Sequence, residues 1–199
     1  MLSPEQQRRS EGEVSSTHRH NEYRREWRQE NFDIYTTLNS RKGPFIEIAG
    51  PTPDNYRMVD MQRLDKKVYS SNKYKGLPLF SGQTGEFIGY SHPVDFQADA
   101  QNLPMQDGSV GAIFCSCLST LFLQEGKTTE QATQETKELH EKAIQESYRV
   151  LEKEGLLIWE GGTQNDIEYG RHIGFKIVSH ASEGDTYGTE RHDIIFIKK

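Results

Sequence analysis

The chain has 199 residues, a formal net charge of -6, 33% hydrophobic residues and a mean hydropathy of -0.82. That length suits one domain with a polar appendage. The acidic balance argues against a general nucleic-acid binder, which needs clustered Lys and Arg, and no apolar run approaches the roughly 18 residues of a membrane span.

Residues 1–20 are rich in Gln, Arg, Ser, Glu and Thr without periodicity and read as a flexible tail. They contain no apolar h-region, so the expectation is a cytoplasmic protein rather than a secreted one. In residues 21–42, Tyr23, Trp27, Ile34 and Leu38 recur at helical spacing, which predicts an N-terminal helix. Its basic stretch, from His18 to Arg28, could contact a phosphate-bearing substrate or cover a site. The preferred reading is a solvated helix face with its apolar side packed on the sheet, in which Glu22 and Glu26 pair with arginines.

Residues 43–199 form the main domain in this reading. Residues 45–50 predict a strand, residues 51–93 hold most of the Pro, Gly, Ser and Asn, and residues 67–70 are the best strand candidate among them. Short strands follow at 94–98 and 110–115, the second without polar alternation, as suits a strand buried on both faces. Thr128 and Gln131 can form a capping box. They open a helix from 128 to 151, with Ala132, Thr136, Leu139, Ala143, Ser147 and Leu151 on one face and Gly155 as its stop. A strand at 156–160, a short helix at 167–172 ending by Gly174, and strands at 175–179 and 193–197 complete the chain. The last two are too close for a helical crossover, so an antiparallel pair is expected. The fold class is therefore α/β: a doubly wound, mostly parallel sheet with helices on both faces.

Two segments carry a more specific signal. Residues 98–110 read ADAQNLPMQDGSV and, about 40 residues further on, residues 148–157 read YRVLEKEGLL. Together they resemble class I S-adenosylmethionine-dependent methyltransferases of the type 11 kind, whose pattern runs G-D-A-x-x-L-P-F-x-D-x-S and then R-V-L-K-P-G-G-x-L. The resemblance implies a Rossmann-like sheet of seven strands with the last reversed, and methyl transfer from S-adenosylmethionine. It also implies a cofactor site at Glu47, Ala49, Gly50 and Pro51 after the first strand, Asp99 and Ala100 after the third, and Cys115 in the fourth.

The family's loop after strand 1, E/D-x-G-x-G-x-G, stands here as Glu47-Ile48-Ala49-Gly50-Pro51-Thr52-Pro53. The acid is kept and the three glycines are replaced. Two prolines fix φ and remove N–H donors, so the cofactor is bound in an altered way or has been lost; a plain strand followed by a Pro-Thr-Pro turn fits these residues as well. Asp99 would accept from the adenine amino group, since a carboxylate offers only acceptors, or it simply caps the following turn. Asp107 and Ser109 should organise a turn. Gly111 stands where the family usually has an acid. The ribose acid has three candidates: Asp60, Asp65 and Asn72.

No catalytic residue can be named. The chain lacks the N/D-P-P-Y/F motif of adenine and glutamine methyltransferases, and His92, His140, His172, His180 and His192 read as surface or packed residues. Cys115 and Cys117 are too close for an ordinary disulfide and lack partners at metal spacing, so no metal is expected. The acceptor implied is a small molecule, with no membrane and no nucleic acid. The rival reading is a catalytically inactive relative that binds a protein partner; another Rossmann-type nucleotide binder would need the G-x-G-x-x-G that is missing.

Overall fold

The computed structural model describes residues 24–52, 56–80, 87–116, 118, 127–184 and 190–199. Pro53, Cys117, the tail and Tyr23 lie outside them. Ten strands are described: β1 (Arg24–Arg28), β2 (Phe45–Ile48), β3 (Val68–Asn72), β4 (Gly76–Phe80), β5 (Phe87–Pro93), β6 (Phe96–Gln97), β7 (Val110–Ser116), β8 (Leu151–Gly162), β9 (Phe175–Gly184) and β10 (Glu190–Lys198). The helices are α1 (Ile34–Asn39), α2 (Thr129–Val150) and α3 (Gln164–His172).

Eight strands form one sheet in the order β1-β9-β10-β8-β7-β2-β3-β6. The five from β8 to β6 run parallel. β10 is antiparallel to both β8 and β9, so the expected reversal of the last strand is present. From β2 the chain winds outward through β3 and β6, then crosses back to β7 and β8. The strand order thus reverses between β2 and β7, where ligand crevices form in open sheets of this kind.

β7 is the spine. Its residues 110–115 are all buried and are flanked by β2 and β8, so both faces of the strand need apolar cover. On one face Ile113 and Cys115 join Ala143 and Ile144 of α2 and Ile167 of α3. On the other Ala112 and Phe114 meet Ile34 and Leu38 of α1 together with Tyr56, Met58 and Val59. The capping box at α2 forms as expected: Gln131 N donates to Thr128 Oγ1 at 3.3 Å and Thr128 N to Gln131 Oε1 at 3.0 Å. The buried stripe is rotated from the one expected and runs through His140, Ala143, Ile144, Ser147 and Val150.

Three expectations need correction. Residues 24–28 are not helical. They are an edge strand antiparallel to β9, and only Ile34–Asn39 is helix, because the Asp33 side chain accepts from Tyr35 N and starts a helix there. Residues 76–93 hold a separate two-stranded hairpin, β4–β5, which the Gly and Pro content had hidden. Gly155 does not end α2. The helix gives way to β8 at Leu151, and Glu154, at φ 62°, lets the strand step out and rejoin β7 at Leu156.

The glycine at 111 now has a reason. A Cβ there would lie 2.8 Å from Gly43 O and 2.9 Å from Arg41 Cβ, because the start of β7 runs against the chain entering β2. Gly111 N donates to Pro44 O at 2.9 Å, while the Glu152 carboxylate accepts from Lys42 N and Gly43 N. An acid at 111 has no room. Gly111→Ala should lower the urea midpoint at unchanged m, by about 1–3 kcal/mol for an overpacked site; an unchanged midpoint would show that the two backbones can part at little cost.

Candidate functional site

The carboxyl ends of β2, β3 and β6 share one edge of the sheet. At the first of them the chain turns back over its own carboxylate. Glu47 is buried, and its Oε1 accepts from Thr52 N at 2.8 Å and from the Tyr56 hydroxyl at 2.9 Å. Burial, and then the Glu47 charge, raise the Tyr56 pKa well above its usual value, so its proton stays on the bond to Glu47. Ala49 takes φ 61°, the left-handed region that disfavours a side chain. A Cβ on Gly50 would lie 2.4 Å from Glu47 Cδ. Gly50 is therefore required because the carboxylate occupies the space beneath it. The Gly50–Pro51 peptide is cis.

Asn72 lies at the end of β3, next to this loop. Its Nδ2 donates to Gly50 O at 2.9 Å and its Oδ1 accepts from Tyr74 N at 3.2 Å. Ser71 Oγ donates to Glu47 O, and Gly50 N donates to Ser71 O. Of the three candidates for the ribose acid, Asn72 alone sits at this edge. Asp60 caps a one-turn 3-10 helix, Met61–Arg63, and Asp65 follows it.

Asp99 and Ala100 follow β6 on the same edge. Asp99 Oδ1 accepts from Gln101 N at 3.0 Å, the turn-capping role, while Oδ2 faces Lys73 Nζ at 3.6 Å; the side chain is one-third exposed. Ala100 is buried in the core. Glu47, Ala49, Gly50, Pro51, Asp99 and Ala100 thus gather around Asn72 at the ends of β2, β3 and β6. Cys115 does not join them. It pairs in register with Ile48 and Trp159, and its side chain is 1% exposed, packed toward α2.

The two segments singled out in the sequence meet through Arg149. Its guanidinium donates to Leu103 O at 3.1 Å and Met105 O at 3.0 Å and pairs with Asp107 and Glu146. Asp107 and Ser109 organise this turn as expected, Ser109 Oγ donating to Gln106 O at 2.7 Å.

Two further groups at the carboxyl edge carried no sequence signal. Glu160, near the end of β8, is 4% exposed and accepts from Met58 N at 2.9 Å. Burial pushes its pKa up to about 7; the nearby Asp193 charge adds to this, and Arg57 offsets part of it. His140, on α2, places Nδ1 2.9 Å from Asp166 Oδ2 and Nε2 2.5 Å from Leu118 O. Asp166 Oδ2 also accepts from Thr163 N at 2.7 Å. Both ring nitrogens face acceptors, so the imidazolium is the form that satisfies both. Burial works to lower the His140 pKa, but Asp166 and the Leu118 carbonyl outweigh it and the pKa is raised. His140 thereby ties the chain leaving β7 to the start of α3. His180 and His192, read as scattered, are brought within 2.8 Å of one another by the β9–β10 pairing. Among the described residues no group of three His, Cys, Asp or Glu is placed to hold a metal ion.

No family model matches the chain, and no curated protein matches it. Among solved structures it is similar to the protein PH0851, at 10% identity over 94% of this chain and 56% of that one, with a TM-score of 0.51. It is also similar to an S-adenosylmethionine-dependent methyltransferase of Thermotoga maritima described as a possible histamine N-methyltransferase (16% identity, 83% and 90% coverage, TM-score 0.40). A third is a methyltransferase of Methanosarcina mazei (10%, 84% and 97%, 0.47). At such identities the likeness is one of fold, and the sheet order with its reversed strand agrees. What is shared is the doubly wound, mostly parallel sheet with its reversed strand. No helix among the described residues is long and apolar enough to cross a membrane.

The pH dependence follows from Glu160 and His140. A carboxyl whose pKa rises from 4.5 unfolded to about 7 folded keeps its proton longer in the native state. Its stabilising effect is complete below pH 4.5 and is lost as pH rises to 7, on the order of 3 kcal/mol. His140 acts in the same direction: its contribution is present below the unfolded pKa of 6.5 and is lost as pH rises through the raised folded value. Urea unfolding should show stability falling from pH 5 to pH 8, and Glu160→Gln should remove most of the fall below pH 7. An equally steep fall in that variant would assign the effect elsewhere.

Proposed function

We propose that the protein binds S-adenosylmethionine at the strand-end edge and transfers its methyl group to a small molecule. The observation that carries this reading is the gathering of Ala49–Gly50, Asn72 and Asp99–Ala100 at the ends of β2, β3 and β6, beside the point where the strand order reverses. In this reading the adenine lies by Asp99, whose one-third-exposed carboxylate accepts from the amino group in place of or beside Lys73. The methionine part passes over Ala49 and Gly50. Asn72 is the candidate for the ribose: one amide N–H goes to Gly50 O and its carbonyl oxygen accepts from Tyr74 N, which leaves its second N–H and a second lone pair.

When bound, the cofactor would supply an electrophilic methyl on a sulfonium. The chain's contribution is placement and the exclusion of water, which can lower a transfer barrier without a dedicated acid or base. Glu47 would keep the loop's shape and not touch the ligand: Thr52 N and the Tyr56 hydroxyl hold Oε1, and Oε2 lies buried beneath Gly50.

One observation favours a second reading, a catalytically inactive relative that binds a protein partner. Gly50 N is bonded to Ser71 O, Thr52 N to Glu47, and Pro51 has no N–H. These loop positions therefore have no donor left for a ligand carboxylate.

Thermal melting against S-adenosylmethionine separates the two. A micromolar binder at millimolar ligand gains about 4 kcal/mol of stability, and Asp99→Ala should then weaken binding by about 1–3 kcal/mol as the amino group loses its acceptor. A melting curve unmoved by millimolar ligand would reject the cofactor reading in favour of the inactive relative. Binding that is unchanged in Asp99→Ala would move the adenine elsewhere.

A further inference from the structure

A second cleft, of about 370 Å³, opens on the sheet face opposite α2. Its floor is apolar, made by Ile34, Met58, Val59 and Ile195, all buried. Its rim is cationic: Arg28 at the end of β1, Arg57 in the crossover and Arg63 in the 3-10 helix. Only Tyr56 is shared with the loop after β2.

The three arginines differ in what they are bonded to. Arg57 is committed, at 2.7 Å to Glu183 and 2.8 Å to Asp193. Among the described residues, Arg28 and Arg63 make no ion pair and no side-chain hydrogen bond. Arg63 instead stacks its guanidinium carbon 3.6 Å from the centre of the Tyr35 ring, and Arg28 lies over Phe32 at 5.9 Å. The acids nearby are hydrogen-bonded to the backbone and keep their charge; Asp60 lines the cleft, and the Arg28 charge acts on Asp33. Asp33 holds the start of α1 through Tyr35 N and the Thr36 hydroxyl, and Asp60 accepts from Gln62 N. Tyr35 also lines the cleft; its oxygen accepts from Asp60 N at 3.0 Å, which leaves its hydroxyl proton to donate.

The geometry points to a binding site for a small organic anion, and we propose that this cleft is one. The anionic group, carboxylate or phosphate, sits between Arg28 and Arg63 with the Tyr35 hydroxyl as a third donor, and the apolar body lies on the Met58–Ile195 floor. A guanidinium stacked on an aromatic ring is held in a fixed plane, so little freedom is lost when it meets an oxyanion. Stacking leaves its edge N–H groups available. The exposed lining is mostly polar, and the buried Ile34, Met58, Val59 and Ile195 beneath it give an apolar body a small contact that a bare ion lacks.

The test is calorimetric titration of the full chain at low ionic strength, where exposed charges are least screened. The probes are phenyl phosphate, benzoate, inorganic phosphate and phenol. Phenyl phosphate or benzoate should saturate, and the tighter of the two names the anionic group. Phenol should not saturate, and inorganic phosphate should bind at least tenfold more weakly than phenyl phosphate. Arg28→Ala and Arg63→Ala, both at exposed positions, should each weaken the aromatic anion at least tenfold while melting near the parent temperature, and Arg63→Lys should recover part of the loss. The proposal is overturned by the absence of saturation with either aromatic anion, by inorganic phosphate binding as tightly as phenyl phosphate, or by affinities that neither alanine variant changes. None of these readings involves S-adenosylmethionine, so the result stands apart from the cofactor question.

Discussion

Two buried carboxylates at the ends of parallel strands hold the crossover that leads out of β2. Glu47 takes Thr52 N and the Tyr56 hydroxyl, and Glu160 takes Met58 N. A doubly wound sheet usually covers this face with a helix after its first strand. Here, among the described residues, the cover is irregular backbone at 56–60 and then a 3-10 turn, Met61–Arg63. Irregular backbone satisfies few of its own polar groups, so the sheet must supply acceptors. It does so with these acids, and the segment in return lays Tyr56, Met58 and Val59 over Phe114 and Ile158.

The arrangement has consequences at the candidate site. Because the Glu47 carboxylate fills the space under the loop, only glycine fits at 50. Because Asn72 and Ser71 are bonded to that loop, the ends of β2 and β3 form one hydrogen-bonded unit. Such a loop is already in its bound shape or closed to a ligand; it has little room to adapt. Preorganisation of this kind lowers the ordering cost of binding, and equally it fixes a site that has lost its ligand.

Elsewhere in the sheet, ordering comes from charge. Arg149 joins the α2 terminus to the carbonyls after β6, and His140 joins α2 to Leu118 and α3. A buried imidazolium between a carboxylate and a carbonyl is stable only because both partners are present; removing either leaves an uncompensated charge. Glu160 differs in that burial outweighs its backbone bonds and the Arg57 guanidinium 3.9 Å away, and so burial decides its protonation.

The sequence by itself determined the periodic parts. An uninterrupted apolar strand at 110–115, a capped helix from Thr128, and two late strands too close for a crossover dictate a parallel sheet that ends in a hairpin, because burial on one or two faces writes its period into the chain. The turn at 106–109 was legible as well, from its Asp107-Gly108-Ser109 chemistry, but that Arg149 joins it to the end of α2 was not. Only the tertiary structure decided the rest. Residues 24–28 share a helical spacing with α1 yet pair with β9, since an open sheet edge offers backbone partners that local periodicity does not register. Gly111 and Gly50 look like departures from a pattern until Gly43 and the Glu47 carboxylate are seen beside them. Cys115 lies in a site strand but faces the core, a matter of alternation and register rather than of residue type. Glu160, His140 and the Arg28–Arg63 cleft combine residues far apart in the chain, and their protonation and charge arise from burial, which no local stretch of sequence encodes.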